Sequence, residues 1–197
     1  MTRNAIRGGR EGGFSLLELL LTILVIGIVS AFAIYSFNNV LPTLRADSAS
    51  QLLVAQLRQA RQASVDQRRD ILVTFRGTSE IVTVRLNLDS TTTPLSDYFL
   101  PYGMVYMLFS GVPDTPDGFG NSAAVNFNCG SGGLPCTIRF QSDGSVLDST
   151  GNYINGTVFI GRTGQNLTAR AVAILGATGR IRGWRYNGNA DPSKAWF

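Results

Sequence analysis

FSLLELLLTILVIGIVSAFAIYSF, Phe14 to Phe37, organises everything else in the chain: it is a run of 24 residues carrying one charge, Glu18. As a helix the run is about 36 Å long, enough to cross the hydrocarbon core of a bilayer with some tilt. Residues 1–13 (MTRNAIRGGREGG) precede it and are basic and glycine-rich. Positive charge before the run, with none directly after it, orients the N-terminus to the cytoplasm and the bulk of the chain to the far side. A plain signal anchor gives no reason for Glu18, since a carboxylate at membrane depth costs a few kcal/mol. A secretory signal cleaved near Val29-Ser30-Ala31 satisfies the small-residue rule but not a charge inside its apolar region.

Composition narrows the function classes. The 197 residues include 17 basic and 13 acidic side chains, and Lys194 is the single lysine. Three arginines (Arg3, Arg7, Arg10) and Glu11 lie before Gly13, so the remainder carries 14 basic against 12 acidic side chains, a balance of +2. Net charge is therefore no argument for nucleic acid, and a basic patch has to be found locally. There is no His, which removes the commonest general base and zinc ligand. Cys129 and Cys136 have six residues between them in a Gly- and Pro-rich stretch. The spacing is too wide for a redox or zinc CxxC pair, and a local disulfide in an oxidising, extracytoplasmic compartment is the simplest reading.

The stretch Gly13-Phe14-Ser15-Leu16-Leu17-Glu18-Leu19-Leu20 resembles the leader junction of type IV pilins and type II secretion pseudopilins. The resemblance implies a cut after Gly13 by a prepilin peptidase on the cytoplasmic face and methylation of the new N-terminus, Phe14. It also implies that Glu18 pairs with the N-terminal amine of a neighbouring subunit as a filament grows. Burying either charge alone in apolar surroundings is expensive, so pairing would couple extraction from the bilayer to correct register.

From Asn38 to about Arg69, Leu41, Leu44, Ala49, Leu52, Leu53, Leu57, Ala60 and Ala63 recur at three- and four-residue spacing among polar residues, an amphipathic helix continuing the first. Pro42 lies inside it and removes one backbone donor, so a kink or a division into two helices is expected there. After Asp70 the apolar period becomes two. Ile71–Phe75 and Ile81–Leu88 flank a Gly77-Thr78-Ser79 turn as a hairpin. Residues 89–101 read as loop, 105–109 as strand and 111–120 as loop. Ala123–Phe127 and Thr137–Phe140 flank the cysteine loop, Asp143-Gly144 is a turn, and Thr157–Ile160, Ala169–Leu175 and Ile181–Tyr186 complete the sheet. The expected organisation is a leader (1–13), a transmembrane and filament-core helix (14–37), an amphipathic helix (38–69) and a periplasmic antiparallel β-domain (70–197). The fold class is α+β, a long N-terminal helix packed on an antiparallel sheet, which in view of the resemblance is the type IV pilin fold.

The run Phe140-Gln-Ser-Asp-Gly-Ser145, then Thr157-Val-Phe-Ile160, then the stretch from Arg170 to Arg180 ending in Thr-Gly-Arg resembles the C-terminal half of the GspH/FimT family. These are minor pseudopilins of type II secretion and minor pilins of type IV pili. The resemblance implies an inner-membrane protein, single-pass, with the N-terminus cytoplasmic and the C-terminal domain periplasmic, that joins an extracellular filament with major and minor pilins. Gly179-Arg180-Ile181-Arg182 has the Gly-Arg-x-Arg form that resembles the DNA-binding region of FimT-like minor pilins, which adds DNA as a partner. In an extended strand Arg180, Arg182, Trp184 and Tyr186 share one face and Arg185 takes the other. Two guanidiniums beside two aromatics suit phosphate pairing and base stacking, and Lys194 and Trp196 extend that surface. The same strand serves equally as a packing or filament contact. No catalytic constellation, metal set or cofactor motif is present: there is no nucleophile elbow, and the glycines at 130, 132 and 133 lead into Leu134-Pro135 rather than a helix start, so they form no phosphate cradle.

Overall fold

The computed structural model describes residues 15–129, 133–189 and 191–197. A single helix, α1 (Leu16–Gln67), contains Pro42. The chain divides at Leu41/Pro42 into an N-terminal unit and a domain, Pro42–Phe197. In the first unit Leu16–Ile34 is a helical stretch of mean hydropathy 2.6 with none of it buried. Its leucines and isoleucines are exposed, Leu16 at 80% and Ile26 at 63%. Such a surface is untenable in water and is what a bilayer or a bundle of like helices covers.

In the domain, the α1 stripe that is buried runs Ala46, Ala49, Leu53, Leu57, Ala60 and Ser64. This corrects the expected stripe at Leu44 and Leu52, which are 53% and 37% exposed. The true stripe follows steps of three and four from Ala46, so the two leucines fall outside it.

Among the described residues ten strands follow: β1 (Ile71–Arg76), β2 (Glu80–Leu86), β3 (Thr92–Phe99), β4 (Val105–Tyr106), β5 (Val125–Asn126), β6 (Cys136–Phe140), β7 (Val146–Leu147), β8 (Gly156–Arg162), β9 (Gln165–Leu175) and β10 (Arg180–Arg185). They form two antiparallel sheets of five rather than the single sheet expected: β3-β2-β1-β6-β7, and β10-β9-β8-β4 with β5 also on β8. The β1–β2 hairpin pairs Arg76 with Glu80 across the Gly77-Thr78-Ser79 turn. The main correction is β3, which lies in the segment expected to be loop. Its threonines are β-branched and its edge position tolerates Pro94, which sits beside a register shift in β2. Conversely, 105–109 and 123–127 keep only two ladder residues each.

One core joins α1, both sheets and the residues between them: Leu53 and Leu57 of α1, Ile71, Val73 and Phe75 of β1, and Val158, Ile160, Val172 and Ile174 of β8 and β9. Strands β8 and β9 of the second sheet are buried on both faces. Phe159, Ala169 and Ala171 point away from α1 into a smaller cluster covered by Phe109, Val112, Tyr186 and Trp196. That is why β8 and β9 read as continuous apolar runs. The C-terminal residues supply the cover by folding back, with Arg185 and Phe197 exchanging backbone hydrogen bonds and Trp196 Nε1 donating to Pro113 O at 3.0 Å.

Candidate functional site

Gly13 and Phe14 lie outside the described residues. Glu18 is in the first turn of α1, where a carboxylate is favoured by the helix dipole. It is exposed on a helix otherwise apolar as far as Ile34. This segment can insert in a bilayer, and it carries one anion where an apolar partner surface would offer none.

The two C-terminal motif pieces come together although 33 residues separate Ser145 from Gly179. In the first, the Gly144 N–H donates to Gln141 O, and the Asp143 carboxylate accepts from Ser145 N–H at 2.8 Å and Ser145 Oγ at 2.6 Å. These bonds hold the Asp143 carboxyl below the usual range, the Ser145 hydroxyl contributing most. The second turn, at Thr178-Gly179, stacks on the first. Arg61 of α1 ties the pair, Nε donating to Gly144 O at 3.2 Å and Nη2 to Thr178 O at 3.1 Å. The motif thus has a structural job: it joins both sheets to the helix.

Beyond that turn, β10 places Arg180, Arg182, Trp184 and Tyr186 on one face, as its alternation requires. Their surroundings differ. Arg180 is exposed. Arg182 reaches Asp117 at 3.4 Å and stacks over the Trp184 ring at 4.9 Å, while Trp184 Nε1 donates to the same carboxylate at 2.6 Å. Tyr186 is 7% exposed and packs on Trp196, itself 6% exposed, so neither ring is open for stacking with a base. Lys194 remains exposed, 4.0 Å from Asp191. Arg185, on the α1 side, is 3.2 Å from Asp47 and lies over the Phe197 ring.

Sequence reasoning missed the most buried charge. Arg170 of β9 is 1% exposed, with Nε donating to Asp47 Oδ1 at 2.6 Å and its other nitrogens to Leu167 O, Ala169 O and Thr43 O. Desolvation weakens its hold on the proton and Asp47 opposes that. The signal was present: one arginine in an otherwise apolar strand needs a carboxylate, and Asp47 is the acid on the facing stretch of α1. Asp117, which holds Arg182 and Trp184, sits in a loop and carried no such signal. Cys129 and Cys136 are joined by a disulfide with Cα atoms 5.2 Å apart, and Cys136 is buried in the main core.

Residues 9–34 match the family described as the prokaryotic N-terminal methylation motif. No curated protein matches the chain. Among solved structures, the chain is similar to the type IV minor pilin FimU of Pseudomonas aeruginosa PAO1, at 19% identity and TM-score 0.48, over 76% of this chain and 90% of that one. It is also similar to the minor pseudopilin EpsH of the Vibrio cholerae type 2 secretion system, at 15% identity and TM-score 0.47, over 72% and 97% respectively. The chain thus carries the methylation motif on an apolar N-terminal helix that is followed by an antiparallel sheet domain.

Proposed function

We propose that the chain is a minor pilin or pseudopilin of the GspH/FimT kind, cut by a prepilin peptidase after Gly13, methylated on Phe14, and built through α1 into a type II secretion pseudopilus or a type IV pilus. In this reading residues 1–13 are the leader, the domain is periplasmic, and the filament is shared with major and minor pilins. The observation that carries it is Glu18, a lone carboxylate in the first turn of an exposed apolar helix that lies within the matched methylation motif. Its partner is the amine of Phe14 on an adjacent subunit, and the pair forms only when subunits are in register. Glu18→Gln leaves membrane insertion and leader cleavage intact and removes the protein from sheared filaments. Normal amounts of the variant in filaments would overturn the role.

A second reading, that the displayed domain contacts DNA for uptake, draws support from the exposed Arg180 beside Arg58 and Arg61 in one groove. In this reading Arg180 and Arg182 meet phosphates, Trp184 flanks them, Tyr186 anchors the same face through its packing on Trp196, and Arg185 lies on the opposite face. Arg180→Gln with Arg182→Gln then lowers duplex binding and flattens its dependence on salt. If the unmodified chain gives no salt-dependent gel shift, this reading fails and the filament reading stands unaffected.

A further inference from the structure

The second sheet has an open edge at β10. C-terminal residues already pair with part of it: Arg185 N–H donates to Phe197 O at 2.9 Å, Phe197 N–H donates back to Arg185 O at 3.1 Å, and Asn187 N–H donates to Ala195 O at 2.9 Å. Successive residues of an antiparallel ladder alternate between their two neighbours. The exchange at Arg185 therefore sends the backbone groups of Gly183 and Ile181 outward too, away from β9. The Tyr186 N–H, bonded inward to Ala169 O, obeys the same alternation. Among the described residues nothing is bonded to the outward N–H or C=O of Gly183 and Ile181 outside their own ladder.

Beside this edge run two grooves of about 530 and 520 Å³, which share Arg58 of α1. Gly183 is exposed and faces α1 without a side chain, so the nearest atom to where a Cβ would stand is Val54 Cγ2 at 3.5 Å. The grooves are lined by Arg58, Arg61, Arg170, Arg180 and Arg185 against one carboxylate, Asp47, and that one is bound by Arg170 and Arg185.

We propose that the free edge of β10 accepts an extended acidic segment of a partner protein as an added strand. Ile181 and Gly183 supply the backbone bonds, and Arg58 and Arg180, which line one groove, meet the carboxylates that alternate along one face of the added strand. The edge offers donors and acceptors in alternation at strand spacing, which a peptide backbone matches. A phosphate backbone has acceptors alone and would leave both carbonyls unpaired. The pairing of residues 195–197 with the same edge shows that it takes a strand.

The test uses the full chain in detergent micelles and a labelled peptide of alternating Glu and Val. Binding is expected with slowed hydrogen exchange at the Ile181 and Gly183 amides. N-methylation of the peptide at alternate residues in one register weakens it about tenfold, and in the other register leaves it unchanged. Replacing Glu by Lys in the peptide, or Arg58→Gln in the protein, weakens binding without moving the unfolding midpoint. The proposal is overturned by no binding, by equal binding of the Lys peptide or of both N-methylated peptides, or by binding that leaves the two amides unprotected. It is also overturned if a duplex oligonucleotide binds this seam and the acidic peptide does not.

Discussion

Gly179 has a φ of +60°, and a Cβ on it would stand 1.9 Å from the Gly144 carbonyl oxygen and 2.7 Å from Arg61 Nε. Two constraints coincide, a left-handed backbone and a turn packed against another turn. Gly164, between β8 and β9, has a φ of +78° with nothing within 4 Å. Alanine at the two sites separates the constraints. Gly164→Ala meets backbone strain alone and costs about 1 kcal/mol. Gly179→Ala must also force the stacked turns apart and costs about 3 kcal/mol or more, seen as a lower urea midpoint. Equal costs would mean the turns do not bear on each other. The Thr-Gly-Arg motif was legible in the sequence through its resemblance to the GspH/FimT pattern. Its contact with Gly144 was not, because no local pattern records a neighbour 35 residues away.

Among elements, α1 and β9 are joined by a charge clamp. Arg170 gives Asp47 a 2.6 Å hydrogen bond and is almost fully buried, while Arg185 holds the second Asp47 oxygen. Asp47→Ala strands a guanidinium in the core and is expected to cost about 3 kcal/mol, whereas adding Arg170→Met to it recovers part of the loss because no orphan charge remains. A double-mutant cycle by urea unfolding measures this, and additive losses would refute the clamp. The helix and the β1–β2 hairpin were legible because their periods are 3.6 and 2 and their turns are marked by glycine. β3 was not legible, since its partly exposed Ser/Thr/Pro-rich stretch is strand only by virtue of pairing with β2. Burial of β9 on both faces hid its parity, and with it the orientation of Arg170. At the candidate site, Glu18 stood out as a charge in an apolar run, whereas the burial of Tyr186 and Trp196 depends on the fold-back of the C-terminal residues.

Across the whole molecule, depressed carboxylates set the response to acid. Arg76 lowers Glu80 mainly through a 2.6 Å hydrogen bond, Thr91 lowers Asp89, Ser145 lowers Asp143, and Thr150 lowers Asp148. Each folded-state value lies below its unfolded one, so each contribution is fully present above the unfolded carboxylate range, about pH 4, and is lost as pH falls through the folded value. Stability of the domain is therefore flat from neutral pH to about pH 5 and declines below about pH 4. The three aspartates sit in turns, where the same oxygen that takes the charge-assisted bond also closes the loop. Asparagine keeps an acceptor there and loses the charge. Asp143→Asn with Asp148→Asn is thus expected to fold, to be less stable at pH 7, and to show a shallower decline in acid. On the alkaline side, burial pushes the Tyr106 phenol up, with Glu80 adding to it. That raised value makes the neutral phenol a stabilising group, and stability falls as pH rises beyond about 10. Urea midpoints across this range, followed by near-UV circular dichroism, check both limbs. An acid limb of the same slope in the double variant would show that other carboxylates carry it.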